Sequence, residues 1–396
     1  MVAGKRRFIT AICLIMAIII SGCAVSNKVD NKENDNADKW EEEAILLMSE
    51  TEPAEDEKEN NTVSPSGYTD PVNIDEVVGN EENDMKTKYD KHGALHVNNS
   101  GKLVDHNGEI VTLRGYSTHG INLYGDYINR DFLEYMRDEW KIDVIRLAMY
   151  TAEENGYCIT SDEKREELME IIDRGVKAAT ELGLYVIIDW HILSDNNPHI
   201  YEDMAADFWD KISDRYSSYG NIFYEICNEP NSGCTWQDIK TYSDRMIPII
   251  RKNDPYAVIL VGTPEWSQRV DEAADDPINT DDNIMYVLHF YADTHRDYLR
   301  GVGQSAIDRK LPLFVTEFGT CAADGGGAHN TEEAEKWMKL LDDNDISYVI
   351  WNISNKDETS AMIMPWCDKV TGDYTDDELR EPAKWYRDVL KSASGR

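Results

Sequence analysis

From residue 87 onward, short apolar runs rich in Val, Ile, Tyr and Leu alternate with longer stretches whose apolar positions recur at helical spacing. The short runs cover 111–118, 144–150, 185–191, 222–229, 257–262, 284–291, 313–319 and 348–354, which makes eight strands. Between them 131–140, 166–182, 203–216, 236–252 and 331–343 are amphipathic and long enough for crossover helices. Eight such units over about 290 residues predict an α/β fold of one kind, the (β/α)8 TIM barrel, a parallel sheet closed on itself. A doubly wound sheet is the competing architecture, but no G-x-G-x-x-G follows the first strand. Ahead of the barrel, 95–107 reads as a small N-terminal β-hairpin turning at Asn98-Asn99-Ser100-Gly101, positioned to plug the barrel's N-terminal end.

The first 86 residues follow another pattern. Lys5, Arg6 and Arg7 precede an uncharged run, 8–20, that is too short to span a bilayer comfortably, and Ser21, Gly22 and Cys23 follow it. This is the layout of an export signal over residues 1–22. Its Ile20-Ser21-Gly22-Cys23 ending resembles the bacterial lipoprotein box, which implies a diacylglyceryl group on Cys23 and a chain anchored to the outer face of the bacterial cell membrane, or secreted. An uncleaved anchor and an ordinary secretory cleavage are the alternatives. Residues 30–86 hold 19 Asp and Glu against 4 Lys, with Trp40 and Tyr68 their only aromatics. Such a segment buries too little to offset its ordering entropy, so 23–86 reads as a disordered acidic tether before a catalytic domain at 87–396. It would reach roughly 40 to 50 Å from the membrane.

Charge and cysteine content remove further classes. The chain carries 40 Lys and Arg against 76 Asp and Glu, a formal charge of −36, which repels a phosphate backbone and excludes nucleic acid as a partner. Apart from Cys13 and Cys23, the cysteines are Cys158, Cys227, Cys234, Cys321 and Cys367. Their spacing makes neither a zinc site nor a dense disulfide framework; one bridge is possible, with no pairing deducible. No metal or organic cofactor is expected, and the chain reads as a monomer.

Barrel chemistry is built where strands run out into their following loops. Here those ends carry Ser117-Thr118-His119, Arg146 with Tyr150, Asp189-Trp190-His191, Asn228-Glu229-Pro230, His289-Phe290-Tyr291, Thr316-Glu317-Phe318-Gly319 and Trp351-Asn352. Singly, each has a structural explanation: Arg146 a barrel salt bridge, His191 and His289 satisfied core histidines, Trp351 a plug. Together they do not, because burying so many charges at one rim costs several kcal/mol apiece unless they pair. Two glutamates at the ends of the fourth and seventh strands point to glycosidic hydrolysis, one protonating the leaving oxygen and the other attacking the anomeric carbon. Facing one cavity, they could be held about 5 to 5.5 Å apart, the separation for retention of configuration.

At these residues the sequence resembles glycoside hydrolase family 5, a group of retaining (β/α)8 enzymes, and in particular its bacterial endo-β-1,4-glucanases. The resemblance covers about residues 92 to 391 and is carried by Arg114-Gly115, Ser117-Thr118-His119-Gly120, Arg146 to Tyr150, Asp189-Trp190-His191, Tyr224 to Asn231, Thr263 to Gln268, His289-Phe290-Tyr291, Thr316 to Gly319 and the stretch from Trp351 to Pro365. It implies Glu229 as acid/base and Glu317 as nucleophile, kept ionised by Arg146. It further implies that Asn228 bonds the sugar 2-hydroxyl, that Tyr291 and His289 orient the nucleophile, and that His191 contacts the reacting sugar. Trp351 would be the floor of the cleft, with Lys356, Glu358, His119 and Tyr150 binding sugars on the non-reducing side and Trp266 on the other. The β-glucan would be a polysaccharide or oligosaccharide. One departure stands out: where relatives often carry a distal Trp platform, Ile121-Asn122-Leu123-Tyr124 has Leu123. Mannanase, xyloglucanase and mixed-linkage glucanase activities share the catalytic set. A non-catalytic surface glycan-binding lipoprotein is the reading from another class, and the intact glutamates argue against it. An esterase lacks its G-x-S-x-G elbow.

Overall fold

The structure, a computed structural model, describes residues 87–279 and 281–394. The leader, Cys23 and the tether lie outside the described residues. A two-stranded antiparallel hairpin, β1 (His96–Val97) and β2 (Leu103–Val104), precedes the barrel. The barrel strands are β3 (Arg114–Thr118), β4 (Val144–Tyr150), β5 (Tyr185–His191), β6 (Ile222–Glu225), β7 (Val258–Val261), β8 (Ile284–Tyr291), β9 (Leu313–Gly319) and β10 (Ser347–Ile353). Each pairs in parallel with its neighbours in chain order, and β10 returns to β3 to close the ring. The fold is the expected (β/α)8 barrel.

Side-chain alternation sets what each face holds. In β4 the residues Ile145, Leu147 and Met149 join the layer between sheet and helices, while Val144 packs in the barrel interior and Arg146 follows it on the same face. That interior is filled in its lower half by Tyr185, Ile187, Phe223, Leu260, Met285, Val287, Phe314 and Val349. Leu95 and Leu103 of the hairpin segment belong to the same cluster, so the hairpin closes the lower end as its position in the sequence suggests. Polar side chains take over the same face only in the upper half.

The helices outside follow from caps and stripes. In Asp162–Glu181, Ser161 caps the N-terminus, accepting from the Lys164 N–H at 3.3 Å, and Leu168, Ile172, Val176 and Ala179 bury one face. Trp236–Asn253 opens with a capping box between Thr235 and Asp238. Two expectations need correction. The segment 131–140 is two pieces, an α-helix Arg130–Tyr135 that widens into a π-helix Met136–Trp140. The fourth barrel strand stops at Glu225 instead of running to 229; beyond it Ile226 still donates to the Leu260 carbonyl, but the chain then turns over the barrel mouth. Among the described residues, Cys158, Cys227, Cys234, Cys321 and Cys367 are buried and unbridged, and no helix is long and apolar enough to cross a membrane.

Candidate active site

Arg146 lies at the centre of the barrel mouth, fully buried. Its Nε and Nη2 donate to Glu225 Oε2 and Oε1 at 2.8 and 3.0 Å. Nη2 also reaches Asn228 Oδ1 at 2.7 Å and Asp189 Oδ2 at 3.0 Å, and Nη1 reaches Ser117 Oγ and Glu317 Oε2, both at 3.2 Å. One guanidinium thus faces three carboxylates. Burial on this scale is tolerable only because every donor is used. The expected pairing of Arg146 with Glu317 exists, but the shorter, two-pronged contact is to Glu225. Burial nonetheless lifts Asp189 and Glu225 each to about 7 against the pull of Arg146.

The seventh barrel strand explains how Glu317 reaches this cation. Opposite β9, Val287 and His289 of β8 pair with Phe314 and Glu317, two steps on one strand against three on the other. Against β10 the same offset appears between Val315 and Phe318. A β-bulge therefore inserts one residue, and the consecutive Thr316 and Glu317 both turn inward where strict alternation would allow one. Glu317 Oε1 accepts from the Tyr291 hydroxyl at 2.7 Å. A Cβ on Gly319 would lie 2.3 Å from the Tyr291 ring, so only glycine leaves room for that ring at the strand end.

His289 departs from expectation. Instead of orienting Glu317 beside Tyr291, its Nδ1 lies 2.9 Å from Glu229 Oε1 and its Nε2 2.9 Å from Thr316 Oγ1. Glu229, His289 and Glu317 each present an atom within 4.8 Å of the others, so the two carboxyl groups share one cavity with different partners. Burial, and then the charge of Glu317, push Glu229 well above the ordinary carboxyl range. Burial also leaves Glu317 raised, though Arg146, His191 and the Tyr291 hydroxyl oppose that rise.

Around the carboxylates stands a wall of rings. Trp351 stacks on His191 with centroids 5.2 Å apart and runs nearly parallel to Tyr150 at 6.4 Å. His191 Nδ1 lies 2.6 Å from Asp189 Oδ2, and its Nε2 lies 3.2 Å from Asn228 Nδ2. Burial, aided by Lys356 for His119 and by Arg146 for His191, lowers both histidines to about 3, leaving neutral rings. Lys356 Nζ lies 2.7 Å from Glu358 Oε2 and 3.3 Å from His119 Nε2. Asn352 and Ser360 hold the other Glu358 oxygen at 2.9 and 2.8 Å. Trp266 stands apart and 45% exposed. Its backbone N–H donates to the carbonyl of Pro230, next to Glu229, at 3.0 Å. Glu265, Trp266 and Ser267 hold φ of 54°, 58° and 57°, a left-handed run that costs backbone strain and is kept where it aims a side chain.

Residues 104–357 match the family described as cellulase (glycosyl hydrolase family 5). The chain belongs to that family. It is a glycoside hydrolase. Endoglucanase A of Butyrivibrio fibrisolvens is 46% identical over 317 residues, 80% of this chain and 72% of that protein. Endoglucanase A of Evansella cellulosilytica is 43% identical over 289 residues, 72% of this chain but 58% of its relative. The catalytic domain of Thermobifida fusca endoglucanase Cel5A (E5) superposes with a TM-score of 0.73 at 36% identity, covering 77% of this chain and 100% of that one. A structure of that domain in complex with cellotetraose matches at a TM-score of 0.72 and 36% identity, over 77% of this chain and 100% of the other.

For this family 5 chain the structure gathers Arg146, Asn228, Glu229, His289, Tyr291 and Glu317 into one bonded cluster, with His119, Tyr150, His191, Trp351, Lys356 and Glu358 linked along one side. Leu123 is 44% exposed and offers no ring there. The sequence reading assigned no part to Glu225, Thr316 or Asp189. Asp189 and Glu225 lie in phase with the inward positions Tyr185, Ile187 and Phe223, so the period of two could have flagged them. Thr316 lies in phase with the inward Phe314 as well; the bulge takes the next residue, Glu317, out of that period.

Proposed function

We propose that the chain is an endo-acting β-1,4-glucanase that hydrolyses cellulose or related β-glucans with retention, Glu229 serving as acid/base and Glu317 as nucleophile. The observation that carries this reading is the pair of carboxyl groups that bring one oxygen each within 4.8 Å of the other, one beside a neutral imidazole and the other beside a guanidinium and a phenol. Glu317, the better solvated by cationic and hydroxyl donors, attacks the anomeric carbon. Glu229, which burial and the neighbouring charge keep protonated, gives its proton to the departing oxygen, then takes one from the water that releases the glycosyl-enzyme. Asn228, oriented by Arg146, would bond the sugar 2-hydroxyl. The endoglucanase names of relatives covering most of the chain support the β-1,4-glucan substrate, as does the cellotetraose complex. Activity falls on the acid side as Glu317 gains a proton and on the alkaline side as Glu229 loses one.

Two assays test this. Proton NMR of wild-type cleavage should give the β-anomer first; early α-anomer would end the retaining assignment. Glu229→Ala should lose far more activity on glucan than on an aryl glycoside whose leaving group needs no proton, and equal losses would remove the acid/base role. A panel of carboxymethylcellulose, lichenan, glucomannan, xyloglucan and xylan ranks the substrates. We also propose export and lipid anchoring at Cys23, on the strength of the leader's layout; labelling with a tagged fatty acid should vanish in Cys23→Ser.

A further inference from the structure

Beneath the two catalytic glutamates runs a continuous line of hydrogen bonds from Arg146 through Glu225, Thr316 and His289 to Glu229. Its direction is set at the Arg146 end. Both Glu225 oxygens face guanidinium N–H donors, which favours the carboxylate, and the single Thr316 hydroxyl proton goes to Glu225 Oε1 at 2.7 Å. Thr316 Oγ1 is then an acceptor, and the partner 2.9 Å away must be an Nε2–H of His289. A neutral imidazole has one N–H. Nδ1 is therefore bare, and the proton in its 2.9 Å contact with Glu229 Oε1 must come from the carboxylic acid.

We propose that Thr316, backed by Glu225, is a positioning residue that pins His289 in the Nε2–H form, so that the bare Nδ1 favours the protonated form of Glu229. This rests on Glu229 as acid/base. Thr316 faces inward in phase with Phe314, and the β9 bulge brings the next residue, Glu317, inward beside it. Hydrogen bonding to the neutral acid, with lone pair facing lone pair once the proton leaves, raises the proton affinity of Glu229. The other charged or titratable groups facing this pair are Glu317 on β9, Tyr291 on β8, Arg146 and Tyr150 on β4, Asp189 and His191 on β5 and Glu225 on β6; Arg146 alone among them is a cation. All remain in place when the Thr316 hydroxyl is removed.

Thr316→Val keeps shape and deletes the hydroxyl. Released from its acceptor, His289 can carry its proton on Nδ1 and donate to Glu229, which favours the carboxylate. The alkaline limb of kcat/KM on a soluble β-glucan should move down by about one pH unit, with about tenfold lost on glucan and little on an activated aryl glycoside. Thr316→Ser should restore the limb. An unmoved limb in Thr316→Val, or equal losses on both substrates, overturns the proposal and leaves Thr316 as packing. Glu229→Ala assays fail separately: if that variant behaves as an acid/base mutant and Thr316→Val does not, only the present inference falls. A direct reading needs no Thr316 variant. In 15N-histidine-labelled wild-type protein, the ring resonances that disappear in His289→Gln should report Nε2 protonated and Nδ1 bare; the reverse tautomer overturns the assignment.

Discussion

Glu229 and Glu317 are chemically identical, and their difference arises from neighbours a few ångströms away. Glu317 bonds to Arg146 and Tyr291; Glu229 bonds to an imidazole that burial holds uncharged. Removing the nucleophilic carboxylate should abolish turnover without emptying the cleft. Glu317→Ala is expected to bind oligosaccharide by calorimetry while azide, entering the vacated space, restores part of the cleavage. If azide restores nothing and binding is also lost, the residue holds the site together instead of attacking. Trp351 acts at the same scale but through area, as a flat face 7% exposed against which a sugar ring can lie. Trp351→Ala should lower kcat/KM by about 2 to 4 kcal/mol, as buried aromatic anchors do, measured on cello-oligosaccharides at saturating and limiting concentration.

Elements differ in how firmly their own residues specify them. The helix Thr331–Asp343 coincides with its sequence expectation because Asn330 caps it, accepting from the Glu333 N–H at 3.1 Å, and Ala334, Trp337, Met338 and Leu341 repeat at helical spacing. The helix Asp297–Asp308 has a weaker sequence signal, because Gly301 and Gly303 inside it dilute its pattern. What docks Thr331–Asp343 is Trp337, stacked on Phe290 of β8 with centroids 3.9 Å apart and donating Nε1–H to the His295 carbonyl at 2.7 Å. Trp337→Ala should cost about 3 to 5 kcal/mol of stability in urea denaturation. A loss under 1 kcal/mol would mean the helix is held elsewhere, chiefly by its exposed ion pairs, which are individually weak.

For the molecule as a whole, the chain carries a charge of −36, and its proposed substrate is uncharged. Raising ionic strength from about 10 mM to about 150 mM shortens the screening length from roughly 30 to 8 Å. KM for carboxymethylcellulose, which carries carboxylates, should therefore fall over that range, while KM for neutral lichenan stays constant. Equal salt responses on both polymers would locate the effect in the fold or the catalytic groups instead of long-range repulsion.

What the amino-acid order determined by itself was everything with a local period or a short motif. Eight β/α repeats, the hairpin turn at Asn98 to Gly101, and polar residues collected at strand ends are legible because burial on two faces and helical amphipathicity each leave a spacing in the chain. The glutamates and the rings around them could be named because they sit at those ends. Tertiary structure alone decided which groups face each other: that Arg146 grips Glu225 more closely than Glu317, that His289 serves Glu229, and that β9 carries two consecutive inward residues. Hydrogen-bond partners here are separated by tens of residues along the chain, and a bulge is an offset between strands. Neither leaves a mark on one segment read alone, because each exists only after the sheet has closed.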